Sequence, residues 1–279
     1  MSSHHEAETR PPERISIHDP NRAHCGRVHD FLLTGGKDSY EVDRSVAEQI
    51  VRECAGFQRA ARAARLFLVR AVHHLAAECG IGQFVELGSG YPCPPNLHEV
   101  ARSTVPTTRT LYLDSDAVIA AHGRVFLADD HNVFVHADVT DTSTVVREVA
   151  ENMNLVAPVA VCLGFVAEFI ADPRAVVQAV SAVLPAGSYV ILSHVTSDVD
   201  AEEVTRAAEI YREHGIDFWP RPREEIEEIL SGCELIEPGL VAAHAWRPDK
   251  EIDAGHAAVL GWNPASTGEI CLAAVGRIP

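Results

Sequence analysis

The sequence predicts an α/β protein built on a parallel β-sheet, and three observations predict it. From Ile81 onward, short apolar runs ending in Gly or Asp alternate with segments of helical spacing, the pattern of right-handed βαβ units. The run Phe84-Val85-Glu86-Leu87 leads into Gly88-Ser89-Gly90, a strand and tight turn at the edge where open α/β sheets bind ligands. The 279 residues are 47% hydrophobic and 23% charged, an ordinary globular balance in a chain long enough to bury a sizeable core.

The elements follow in chain order. Residues 1–20 are polar and proline-rich, and a mobile tail is expected. Residues 21–80 read as a helical cap, with Ala, Leu and Val at helical spacing over Asp43–Cys54 and Phe57–Cys79. Arg59, Arg62 and Arg65 fall three apart on one helix. A solvated face is the ordinary explanation, an anion contact the alternative. Residues 81–279 form the ligand-binding domain. Its strand candidates are Gln83–Leu87, Thr110–Leu113, Val133–Ala137, Val159–Leu163 and Tyr189–Ser193, with helices at Asn96–Arg102, Ala117–Leu127, Thr144–Asn152 and Pro173–Leu184. Two further helices, Glu202–His214 and Arg223–Leu230, precede strand candidates Leu240–Trp246 and Ile270–Val275. The uncharged run Ala175–Ser197 has the length of a membrane span. Pro185-Ala186-Gly187 divides it, so it reads as helix, turn and buried strand.

Charge and cysteine usage narrow the function classes. Against 23 Lys and Arg stand 40 Asp and Glu, a net charge of −17. Residues 1–80 hold 11 basic and 11 acidic residues, so residues 81–279 carry the excess. Such a surface disfavours nucleic acid and anionic membrane as partners. Seven scattered cysteines form no CxxC pair, and the chain opens without an apolar leader; reduced thiols in a cytoplasm are expected. Fifteen histidines lack HExxH or paired ligand spacing, so no metal site is expected.

The chemistry begins at the first strand's end. Gly88 and Gly90 permit a sharp turn and a close backbone approach to a ligand. The third glycine of a dinucleotide fingerprint is absent: Cys93 stands there, among Pro92, Pro94 and Pro95. Taken alone, the segment is equally a tight βα turn. Leu111-Tyr112-Leu113 then runs into Asp114, 24 residues past Gly90, where a carboxylate can accept both ribose hydroxyls of an adenosine. Asp116 suits the N-cap of the following helix. The third strand ends His136-Ala137-Asp138-Val139, placing Asp138 to accept from an adenine amino group and Val139 to pack on the ring. Each acid alone is equally a cap or a turn residue. Glu86, Asp114 and Asp138 together describe an elongated ligand with amino, diol and adenine groups and no phosphate, which is S-adenosylmethionine.

The order FVELGSG, LYLDSD, HADV and a late strand pair resembles the class I S-adenosylmethionine-dependent methyltransferases. Narrower motifs resemble the actinobacterial S-adenosyl methyltransferase family of DUF574 type. They are Arg27-Val28-His29-Asp30-Phe31-Leu32-Leu33 with Gly35-Gly36-Lys37-Asp38, Pro95-Asn96-Leu97-His98-Glu99-Val100, Ser193-His194 and Trp246-Arg247-Pro248-Asp249. The resemblance covers about residues 20–279. It implies a Rossmann-like, seven-stranded, mostly parallel sheet whose last strand is antiparallel, plus an N-terminal helical cap. It also implies cofactor roles for Glu86, Gly88, Gly90, Asp114 and Asp138, with Ser89, Ser115, Val139 and Gly164 beside them. After the fourth strand the family usually carries a His before a Phe; here Glu168-Phe169 stands instead.

Three residues are candidates for catalysis. His194, at the end of the fifth strand, titrates near neutrality and is expected to emerge at the substrate end as a base; a hydrogen-bonded structural histidine is the alternative. Glu168 is a second acid–base candidate or a surface helix acid. The Gly35-Gly36-Lys37-Asp38 segment is a flexible turn or a lid over the cofactor, with Lys37 or Tyr40 touching the methionine carboxylate or the substrate. The expectation is a methyltransferase acting on a small molecule, with a homodimer possible. Another S-adenosylmethionine reaction, cyclisation or elimination, and a non-catalytic binding module are the alternatives, because fold does not fix function.

Overall fold

The computed structural model describes residues 19–260, 262 and 269–279. All of the expected tail except Asp19 and Pro20 lies outside the described residues. Three helices come first: α1 (Cys25–Thr34), α2 (Glu41–Glu53) and α3 (Ala55–Cys79). The alternating part follows as β1 (Gln83–Leu87), α4 (Leu97–Arg102), β2 (Arg109–Asp114), α5 (Ala117–Phe126), β3 (Asn132–His136), α6 (Thr142–Asn152), β4 (Ala160–Gly164), α7 (Pro173–Ser181) and β5 (Tyr189–Val195). The chain closes with α8 (Ala201–Glu213), α9 (Arg223–Ile229), β6 (Glu234–Leu235), β7 (Val241–Ala242), α10 (Lys250–Leu260) and β8 (Cys271–Arg277).

Local chemistry sets many of these boundaries. Asp116 caps α5 by accepting from the Val118 and Ile119 amides, the role its position suggested. Asp172 caps α7, with Pro173 at the first helical position where its missing N–H costs nothing. Gly80 ends α3 in the left-handed region.

The sheet order is β3-β2-β1-β4-β5-β8-β6, with β7 also pairing to β8. Strands β1 to β5 are parallel and β8 runs antiparallel to β5. Glu234 pairs with Arg277 and Val241 with Ala273, so β6 and β7 are successive pieces of one outer edge, interrupted at Pro238-Gly239. The strand expected over Leu240–Trp246 therefore shrinks to two residues. Ala243–Ala245 turns into a 3-10 helix, and Trp246 is fully buried against the edge of Phe67.

Alternation along the strands divides the core into two layers. Phe84, Tyr112, Cys162, Ile191 and Val275 pack under α1, α3, α4, α5 and α8. Val85, Leu111, Val161, Leu192 and Ala274 pack against α6, α7 and α9. The cap helices share the first core, with Val28, Leu32, Ile50 and Phe57 fully buried. Among the described residues no helix is long and apolar enough to cross a membrane.

Candidate active site

A cleft opens where β1 and β4 end, beneath α1 and α3. Glu86, Gly88 and Ser89 form its floor and Gly164 and Phe165 one wall. Gly26, His29 and Asp30 of α1 and Arg65 of α3 form its roof. Parity puts Glu86 here: it shares the face of Phe84, on the side of the sheet that α3 covers.

The glycine turn is specific in its demands. Gly88 has φ +66°, and a Cβ there would lie 2.4 Å from Val166 Cγ2; a side chain is excluded by conformation and by contact. Gly90 also has φ +66°, but a Cβ there would meet nothing within 4 Å. Asp114 anchors this turn. Its carboxylate accepts from the Gly90 amide at 2.9 Å and the Asp116 amide at 2.9 Å, and burial raises its pKa.

Phe165 has φ +55°, a conformation that disfavours residues with a side chain. The Ser193 hydroxyl accepts from its amide at 2.9 Å, and its ring stacks on His29 at 4.9 Å between centroids. Opposite, Arg65 Nη2 donates to the carbonyls of Cys93 at 2.6 Å and Pro95 at 2.8 Å, and its Nη1 lies 3.8 Å from Glu86. Burial pushes the Glu86 carboxyl up to about 7 in spite of that arginine. Burial, with Arg65 adding to it, holds the His29 imidazole down to about 4.

The residues present fit the cofactor that the three strand-end acids imply. His29 Nδ1, Arg65 Nε and Tyr91 Oη are buried in the cleft wall without partners, and a buried polar atom without a partner is costly unless something supplies one. A buried acid, an open glycine turn and unsatisfied donors suit a ligand carrying ammonium, carboxylate and hydroxyl groups. Among the described residues no group of three His, Cys, Asp or Glu side chains is arranged to hold a metal.

The structure gathers some of the expected residues and separates others. Glu86, Gly88, Ser89 and Gly164 line the cleft, and Asp114 and Gly90 border it through their shared hydrogen bond. Asp138 is exposed, its carboxylate accepting from the Thr140 amide and hydroxyl. Val139 is buried in the second core layer. Ser115 is exposed, and its carbonyl lies 2.9 Å from His136 Nε2.

The other four candidates lie outside the cleft lining. Lys37 is exposed on the turn after α1 and does not reach the cleft lining. Tyr40 begins α2, its amide donating to Asp43 and its ring lying 5.3 Å from the Arg27 guanidinium. His194 does not emerge at the substrate end. It is fully buried on the opposite sheet face, with Nδ1 2.7 Å from the Val195 carbonyl and Nε2 2.9 Å from Arg221 Nη1. An arginine can only donate, so the ring is neutral with its proton on Nδ1, and burial depresses its pKa to about 3. Glu168 is also fully buried and outside the cleft lining, with neither carboxyl oxygen partnered. Burial pushes it up to about 8.

Sequence reasoning gives no site role to Phe165 and holds His29 and Asp30 only as members of the Arg27–Leu33 motif. For Arg65 the signal is the arginine row of α3, where an anion contact is the alternative to a solvated face. A step of three residues turns about 60° short of a full circle, so the row precesses. Arg59 is exposed, Arg62 lies 5.3 Å over the Trp262 ring, and Arg65 turns into the cleft.

Comparison with known proteins shows the family. A family model described as S-adenosyl methyltransferase matches residues 10–279. A DUF574 family protein of Streptomyces avermitilis MA-4680 is similar at 33% identity and a TM-score of 0.83, over 94% of this chain and 99% of that one. A candidate methyltransferase of Thermobifida fusca YX is similar at 34% identity and a TM-score of 0.82, over 92% of this chain and 96% of that one. No curated protein matches.

Proposed function

The chain belongs to the S-adenosyl methyltransferase family, and from that premise we propose that it methylates a small molecule in the cleft beneath α1 and α3. It is an S-adenosylmethionine-dependent methyltransferase of Rossmann-like fold. The observation that carries the site is the buried Glu86 beside the open Gly88–Gly90 turn, roofed by cap helices. A roof of packed helices favours a small acceptor over a polymer, and the acidic surface favours an acceptor that is not a polyanion.

Bound S-adenosylmethionine supplies a methyl group already activated on a sulfonium, so the protein's task is positioning and exclusion of water. In this reading Glu86 holds the ammonium group and Asp114 the ribose diol. Gly88 and Gly90 let the backbone approach, with Ser89 and Gly164 alongside. Asp138, Val139 and Ser115 lie toward the adenine. His29 and Phe165 wall the reacting end. No buried base is required of His194 or Glu168. Seven free cysteines are consistent with a reducing compartment, and a cytoplasmic location and a homodimer are further proposals, tested by fractionation and sedimentation.

Product analysis tests the reaction. Incubation with S-adenosylmethionine and a panel of small acceptors should yield S-adenosylhomocysteine. Methylthioadenosine as the product would mean elimination or cyclisation, and no product from any acceptor would favour a binding module.

A further inference from the structure

Resting on the cofactor reading above, we propose that Arg65 of α3 is the carboxylate anchor of the cofactor, opposed to Glu86 across the cleft so that the two clamp an amino-acid zwitterion. Among the described residues, Arg65 is the one Lys or Arg in the cleft lining, against the acids Glu86 and Asp30. Its side chain is 9% exposed. One nitrogen, Nη2, is tied to the Cys93 and Pro95 carbonyls, which fixes the guanidinium plane. The rest of the fork is uncommitted. Nε is buried without a partner, and Nη1 stands 3.8 Å from Glu86, beyond hydrogen-bond length. An opposite-charge pair held apart and pre-oriented can accept a carboxylate on one side and an ammonium on the other. The surroundings favour an anion beside Arg65: His29 Nδ1 and both ring nitrogens of the buried His256 also lack partners, and both rings feel the Arg65 charge. A guanidinium fork matches a carboxylate geometrically. Lys37, on the turn after α1, is exposed.

Binding measured by calorimetry tests the assignment without turnover. Three probes serve: S-adenosylhomocysteine, its carboxamide (carboxylate replaced by a neutral amide), and methylthioadenosine, which lacks the amino-acid end. On the unaltered protein the carboxamide should bind about tenfold or more weakly than S-adenosylhomocysteine, the scale of a lost charged hydrogen bond. In Arg65→Gln that gap should close to within about twofold by the same reasoning, with methylthioadenosine affinity unchanged. Equal binding of acid and amide by the unaltered protein would overturn the anchor, even if the variant did not fold. Equal weakening of S-adenosylhomocysteine and methylthioadenosine in Arg65→Gln would overturn it too. Failure of the unaltered protein to bind any of the three would instead overturn the cofactor reading itself.

Discussion

Ser193 and His194 are adjacent on β5 and face opposite ways. Ser193 turns toward the cleft and holds the strained Phe165 backbone, while His194 turns into the other layer and ties Arg221 to the strand. Side chains alternate along a strand, so a shift of one residue exchanges an active-site role for a structural one. His194→Asn should therefore leave methyl transfer within a few-fold of the unaltered enzyme. It should lower stability in urea by about 1–3 kcal/mol, because Arg221 loses a buried acceptor; a turnover loss of about a hundredfold with unchanged stability would restore the general-base role. Glu168 gives a prediction in pH. Its folded pKa, about 8, lies above the ordinary carboxyl value of 4.5. The protonated form is thus favoured by folding, and the stability it confers, full below about pH 4.5, is lost as pH rises through 8. Glu86, raised to about 7, has the same sign over the lower part of that window. Between pH 7 and 8 Glu168 dominates, with a slope of up to about 1.4 kcal/mol per pH unit. Glu168→Gln should flatten this decline and melt above the unaltered protein at pH 9; identical melting curves from pH 6 to 9 would show that Glu168 is ionised throughout.

At the level of elements, one buried arginine ties the cap to the sheet. Arg27 of α1 is 2% exposed. It donates to Asp43 of α2 at 2.8 Å, to Asp116 at the start of α5, and to the Arg22 carbonyl. Asp43 also accepts from the His24 and Tyr40 amides, so it binds the starts of α1 and α2 together. Neither end of this network was legible beforehand, because partners 16 and 89 residues away leave no local pattern. Arg27→Met keeps much of the volume and strands two buried carboxylates. A loss of about 3–5 kcal/mol is expected, read as a lower urea midpoint. A loss below about 1 kcal/mol would make the network equivalent to a surface pair.

Across the whole molecule, the cleft is made by docking two unlike parts. The sheet edge contributes Glu86, Gly88 and Gly164, while α1 and α3 contribute His29 and Arg65. The cap shares the core beneath it, yet its α1 faces the cleft directly. We therefore expect residues 21–45 to gain protection from hydrogen exchange when S-adenosylhomocysteine binds. Protection confined to the strand ends, with residues 21–45 exchanging as before, would mean that the cap is not a lid.

The sequence by itself determined the βαβ alternation, the position of each central strand within a residue or two, and the acids and glycines at the strand ends. Those features are local. A parallel strand buried on both faces reads as a short apolar run, and a turn that needs a positive φ favours glycine. Tertiary structure alone decided which side of each strand met the cleft. In the continuous apolar run of β5 no polar alternation marks the faces, so His194 and Ser193 could not be told apart by pattern. It also decided that Arg65 leaves the solvated row of Arg59. The turn of a helix carries a residue from water into a site only when another element, here the end of β1, is packed beneath it.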